Sequence, residues 1–143
     1  MLHGWAFNHL FIENVLILFF SQIKPSVVQN RFYDQSNFDV DIRKFCRENS
    51  ITYQSFWTLT ASRKALASQK VKVLAEEKRL SPQTLMYAYM MTLGHTPLDG
   101  TTNMEHMVED MDVVKRIQSG EEILNEDDLR FMEDMLGVPR GFT

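Results

Sequence analysis

Val27-Val28-Gln29-Asn30-Arg31-Phe32-Tyr33 and Ile51-Thr52-Tyr53-Gln54-Ser55-Phe56-Trp57 decide how this sequence folds. Both are short runs rich in β-branched and aromatic residues, which suit a pleated, half-buried surface. Between them, Asp34 to Phe38 reads as loop, and Asp39 can cap a helix running to about Asn49. Ile42, Phe45 and Cys46 fall at helical spacing and make its buried face. Strand, helix, strand is the unit from which parallel sheets are built, so the pattern predicts an α/β fold.

Downstream, the polar residues Thr58 to Lys64 predict a loop, and a helix follows from about Lys64 or Ala65 to Arg79. Ser81-Pro82 restarts the chain as a helix: serine caps, and proline sits where its missing N–H costs nothing. That helix, Pro82–Leu93, should stop at Gly94. His95-Thr96-Pro97-Leu98 is at best a brief third strand. Asp99-Gly100-Thr101-Thr102 turns into a helix of about Asn103 to Val114, and Ile117 to Glu122 reads as a connector. Asn125 caps a last helix, Glu126–Leu136, with acids at its favourable dipole end, Leu124 and Leu129 as a hydrophobic staple, and Gly137 as its stop.

Upstream, Lys24-Pro25-Ser26 breaks a helix of about Phe11 to Ile23, expected to be buried on most of its surface. Its unbroken apolar run, Val15 to Phe20, is six residues, far short of the roughly 20 that span a bilayer. No Lys or Arg precedes it to make a targeting segment. The expectation is a single cytoplasmic domain over 1–143 with no membrane partner.

The chain of 143 residues carries 15 Lys+Arg against 19 Asp+Glu, a net charge of −4. That mild acidity offers no electrostatic reason to bind nucleic acid or an anionic membrane. One cysteine, Cys46, excludes an intramolecular disulfide framework and reads as a buried, inert thiol. The histidines at 3, 9, 95 and 106 lack the i, i+4 spacing of a helical zinc site, so no metal is expected. Glu121-Glu122 and Glu126-Asp127-Asp128 read as solvated helix ends. What remains is Asp99-Gly100-Thr101-Thr102-Asn103-Met104-Glu105-His106 at a strand-to-helix junction. Its glycine, hydroxyls and free helix N–H groups can hold a phosphate, but the same residues make an ordinary N-cap, which spacing alone favours.

The blocks Pro25–Tyr33, Phe45-Cys46, Ile51–Phe56 and Gly100–His106, in this order and at these separations, resemble the carboxy-terminal half of the aldo-keto reductases. The resemblance runs over about Asn14 to Val114, leaving 1–13 as a divergent start and 115–143 as a connector and terminal helix. It implies a partial (β/α)8 TIM barrel: Val27–Phe32 as strand six, Thr52–Trp57 as strand seven and Thr96–Leu98 as strand eight, preceded by the apolar helix. It also implies an NADP-dependent oxidoreductase interconverting carbonyls and alcohols, with the dinucleotide across the carboxyl ends of the strands.

Residue by residue, Gln29 matches the glutamine that hydrogen-bonds the nicotinamide carboxamide. Phe56 matches the aromatic that stacks on the nicotinamide ring. Thr101 matches the hydroxyl near the adenosine 2′-phosphate, His106 a residue that is often arginine, and Glu109 and Asp110 the pair that contacts adenine. His106 gives up arginine's permanent charge and bidentate fork, and Gly100 stands where a phosphate-binding lysine is common. NAD(H) therefore stands beside NADP(H) as the implied cofactor. Of the Ser-Asn pair expected after strand five, only Asn8 has a match.

No residue of this sequence matches the family's catalytic Asp, Tyr, Lys and His, which come from strands two to four and their loops and would lie before Met1. The resemblance thus implies a chain reduced to the cofactor-binding half and inactive alone. The alternatives are a non-catalytic dinucleotide-binding remnant and a protein-interaction fragment. Three strands cannot close a barrel, so apolar faces such as Val27/Phe32 lose their normal cover, and self-association through exposed sheet edges is expected.

Overall fold

The computed structural model of the protein describes residues 24–139. The expected apolar helix, the divergent start and Asn8 lie outside the described residues.

Three strands, β1 (Val27–Arg31), β2 (Thr52–Phe56) and β3 (Thr96–Pro97), form one parallel sheet in the order β1-β2-β3. Val28 pairs with Tyr53, Gln29 with Gln54, Arg31 with Phe56, and Gln54 with Thr96. Because strand side chains alternate, this register sorts residues onto two faces. Val28, Tyr53 and Ser55 are buried, whereas Val27, Gln29, Thr52 and Thr96 are exposed. The buried set packs on helix α1 (Val40–Glu48), where Val28, Ile51 and Tyr53 meet Ile42 and Cys46. Burial also pushes the Cys46 thiol up to about 11, the state of an unreactive cysteine. Val27 and Phe32, expected to share an apolar face, differ completely: Val27 is 45% exposed and Phe32 fully buried. They stand five residues apart, so the alternation sends them to opposite sides.

β1 ends at Arg31, two residues before the predicted Tyr33. Phe32 N–H still reaches the Phe56 carbonyl at 3.3 Å, and the chain then enters a 3-10 segment, Asp34–Asp39. Asn37, Phe38 and Asp39 all adopt left-handed backbone, with φ of 52°, 52° and 53°. Non-glycine residues there cost roughly 1–2 kcal/mol each, so side-chain bonds must hold the turn. Asp39 stands at the N-terminus of α1 but its side chain caps nothing. Its Oδ2 instead accepts from Tyr53 Oη at 2.8 Å and Asn30 Nδ2 at 2.6 Å.

The predicted loop over 58–64 is helical, as α2 (Thr58–Ala61) and α3 (Arg63–Ala67), and the long helix expected to Arg79 is broken. Ser68 causes the break: its hydroxyl accepts Val71 N–H at 3.3 Å and caps α4 (Gln69–Lys78), as serine does when it competes with the helical ladder. Helix α5 (Pro82–Thr92) starts as predicted, with Ser81 Oγ accepting Thr84 N–H at 3.1 Å. Thr84 through Met90 are buried without interruption, so α5 is apolar around its whole circumference and forms the centre of the main core. Around it gather Phe32, Phe38, Val71, Leu74, Val113 and Met132. Helix α6 (Met104–Gln118) outlasts the predicted Val114, because Ile117 continues its half-buried stripe; the connector is shorter to match. Helix α7 (Glu126–Leu136) has its predicted bounds, a reciprocal Asn125–Asp128 capping box and Gly137 at φ 77°. Among the described residues, no helix is long and apolar enough to cross a membrane.

Candidate functional site

A cleft of about 500 Å³ opens at the carboxyl ends of β2 and β3. Phe56 and Trp57 form one wall, Leu98, Asp99, Gly100 and Thr101 another, and His106 and Asp110 of α6 a third. Each arrives for a local reason. Phe56 ends β2 with its ring half-buried, and Trp57, at φ 61°, turns the chain by left-handed backbone into α2. Such backbone is unusual for a bulky residue, and it leaves the indole 54% exposed beside the cleft.

The loop after β3 is a ladder of side-chain bonds. Asp99 Oδ1 accepts Thr101 N–H at 2.8 Å, Thr101 Oγ1 accepts Asn103 N–H at 3.1 Å, and Asn103 Oδ1 caps α6 by accepting Glu105 N–H at 2.8 Å. Tyr87 Oη donates to the same Asp99 carboxylate at 3.3 Å. Thr101 is therefore held in place, but its hydroxyl is already an acceptor within the turn. Open space surrounds the position a Cβ would take at Gly100, so nothing there crowds an approaching ligand.

Four of the six residues implied by the resemblance, Phe56, Thr101, His106 and Asp110, line this one cleft. Gln29 does not. It lies on the same sheet face as Phe56, two register positions before the Arg31–Phe56 pair and therefore diagonal to Phe56. Glu109 points elsewhere, its Oε1 accepting Ser81 N–H at 2.5 Å at the N-terminus of α5. A carboxylate at that dipole end stabilises the helix, which gives Glu109 a structural task. Asp110 faces both ways: it lines the cleft while accepting from Thr84 Oγ1 at 2.6 Å. Burial raises its pKa above the ordinary carboxylate value, against the lowering effect of the Thr84 bond. Among the described residues, no lysine or arginine lines the cleft. Among the described residues, no group of three or more His, Cys, Asp or Glu could hold a metal ion.

Two features had no signal in the motifs. Arg31 stacks on Trp57 and Tyr33, with its guanidinium carbon 3.9 Å and 5.2 Å from the ring centroids. On the helix side of the sheet, a buried polar group joins Asp39, Tyr53, Arg43 and His95. Arg43 Nε donates to His95 Nε2 at 2.9 Å, and Nη1 to the Phe38 carbonyl at 3.3 Å. The His95 ring stands edge-on to Tyr53 at 5.0 Å. Burial first, then the charges of Arg43 and Arg47, lower His95 to about 3. A neutral imidazole that accepts at Nε2 carries its proton on Nδ1, and that buried atom has no partner among the described residues.

No family model matches the sequence, and no curated protein matches it. Solved structures do. The chain is similar to an aldo-keto reductase enzyme from a Medee basin deep-sea metagenome library, with 15% identity and a TM-score of 0.70 over 92% of this chain. The match covers 47% of that enzyme, so the chain spans about half its length. At that identity the likeness concerns the fold: the three-stranded parallel sheet and its helices correspond to part of an α/β TIM barrel.

Proposed function

We propose that the cleft holds the nicotinamide dinucleotide of an NAD(P)H-dependent, aldo-keto reductase-like oxidoreductase acting on carbonyl and alcohol groups. The observation that supports this reading is convergence: Phe56, Thr101, His106 and Asp110 come from a strand end, a loop and a helix, yet line one cleft. Their chemistry suits the ligand in part. The Phe56 ring offers a π face for the nicotinamide, and Gln29, on the same sheet face, is its carboxamide partner. Thr101 and His106 serve the adenosine end, with the first-turn N–H groups of α6 facing phosphate oxygens. Asp99 and Asp110 disfavour phosphate, and among the described residues no fixed cation in the lining offsets them, so affinity is modest and NADPH is not preferred over NADH.

A bound dinucleotide supplies hydride. The residues of this chain bind and orient it and exclude water from one side of the ring. None matches the family's proton-donating group, so the chain alone reduces no carbonyl. Trp57 adjoins Phe56 and reports occupancy in a Trp5→Phe background. Titration with NADPH or NADH is expected to quench its emission saturably below about 1 mM. No quenching at millimolar dinucleotide would remove the cofactor reading.

A second reading, association of copies of the chain, is favoured by a distinct observation. Met104, Val108 and Met111 are exposed at helical spacing along α6, and β3 is an edge strand of the sheet among the described residues. Sedimentation should then show concentration-dependent dimers. Val108→Lys abolishes them if α6 carries the contact and leaves them if the sheet edges do.

A further inference from the structure

We propose that Arg31 forms an oxyanion subsite on the open face of the sheet, beside the cleft, that takes a carboxylate or phosphate group of a ligand. Arg31 closes β1, paired in register with Phe56. Its guanidinium lies against the Trp57 and Tyr33 rings. A cation–π contact holds the guanidinium by its charge over the rings, and a guanidinium carries five N–H donors.

Those donors have no hydrogen-bond acceptor or ion-pair partner among the described residues. Other arginines differ. Arg116 and Arg130 pair with Glu121 and Glu126, and Arg43 donates to His95. Arg47, Arg63 and Arg79 are exposed to water, whereas Arg31 is half-buried and restrained by two aromatic rings. A permanently charged fork restrained by two rings, with no counter-ion among the described residues, is preorganised to meet an oxyanion. Trp57 lines the cleft as well, so one indole joins the subsite to the space beside Phe56. The subsite stands on this geometry alone. Which ligand carries the anion, a carbonyl substrate through its carboxylate or the dinucleotide through a phosphate, rests on the cofactor reading above.

The test follows the Trp57 indole N–H resonance while the full chain is titrated, at constant ionic strength, with succinate, inorganic phosphate or uncharged succinamide. Succinate or phosphate should shift it saturably and succinamide should not. Arg31→Gln should weaken the response about tenfold or more, and Arg31→Lys, a point charge without the fork, should fall between. No saturable shift with either anion, an equal shift with succinamide, or an unchanged response in Arg31→Gln would overturn the subsite. Repeating the succinate titration in saturating NADH separates the sources: a retained response assigns Arg31 to the substrate, and a lost one assigns it to the cofactor phosphate. If NADH does not bind while Arg31-dependent shifts persist, the cofactor reading fails and the subsite stands.

Discussion

The two faces of the sheet are built from the same short strands and do opposite things. On the helix side, Tyr53, Asp39, Arg43 and His95 are buried and bonded chiefly to one another. On the other side, Phe56, Trp57, Arg31 and Gln29 are half-buried or exposed and have no side-chain hydrogen bond among the described residues. Polar groups in a low-dielectric interior fix one arrangement because each unmade bond is costly. Half-exposed groups on a rigid frame can exchange water for a ligand at little cost to the fold. Two phenylalanines mark the difference: Phe32, fully buried against Phe38 and His95, and Phe56, half-buried at the cleft.

Truncating these two rings should break the symmetry most sharply. Phe32→Ala removes a buried aromatic and should cost about 3–5 kcal/mol of stability, read by urea denaturation. Phe56→Ala should cost about 1 kcal/mol. Equal losses would mean that the open face is as structural as the buried one.

Next in size, Tyr53→Phe takes the hydroxyl from Asp39, whose Oδ1 already lacks a partner among the described residues, and should cost about 1–3 kcal/mol. This variant tests whether the strained turn at Asn37–Asp39 depends on the bond.

His95 gives the buried face a pH signature. Its folded value is about 3 against 6.5 in the unfolded chain, so between those values the unfolded state binds the proton and the folded state does not. The stability it contributes is complete above about pH 6.5 and declines as pH falls toward about 3. Melting temperature measured across that window should slope less in His95→Gln than in the parent; identical slopes would move the titration elsewhere.

The smallest effect belongs to Glu109. Glu109→Gln weakens the bond to Ser81 N–H and should lower stability by about 0.5–1 kcal/mol. Dinucleotide affinity should not change, because its side chain serves α5.

Much of the frame was legible because it is written densely. β-branched and aromatic runs set β1 and β2, Ser81-Pro82 opened α5, and Asn125 with Asp128 fixed α7. The errors fall where polar side chains chose between local bonds. Ser68 ended one helix to cap another, and Asp39 turned inward to Tyr53 when a cap was expected. Spacing alone favoured an ordinary cap over a ligand loop at Asp99–His106. The structure makes it a capped turn that also lines the cleft. Arg31 and Trp57 were invisible for a different reason: their stack depends on left-handed backbone at Trp57, for which the sequence carries no glycine signal.

The most direct test is the affinity of Phe56→Leu for NADPH and NADH, measured beside its melting temperature. Leucine keeps apolar bulk and removes the π face. If the cleft holds the nicotinamide ring, affinity falls about two- to tenfold, in line with loss of an aromatic stack, while the melting temperature stays within a few degrees of the parent. Unchanged affinity with an unchanged melting temperature would contradict the assignment of the cleft.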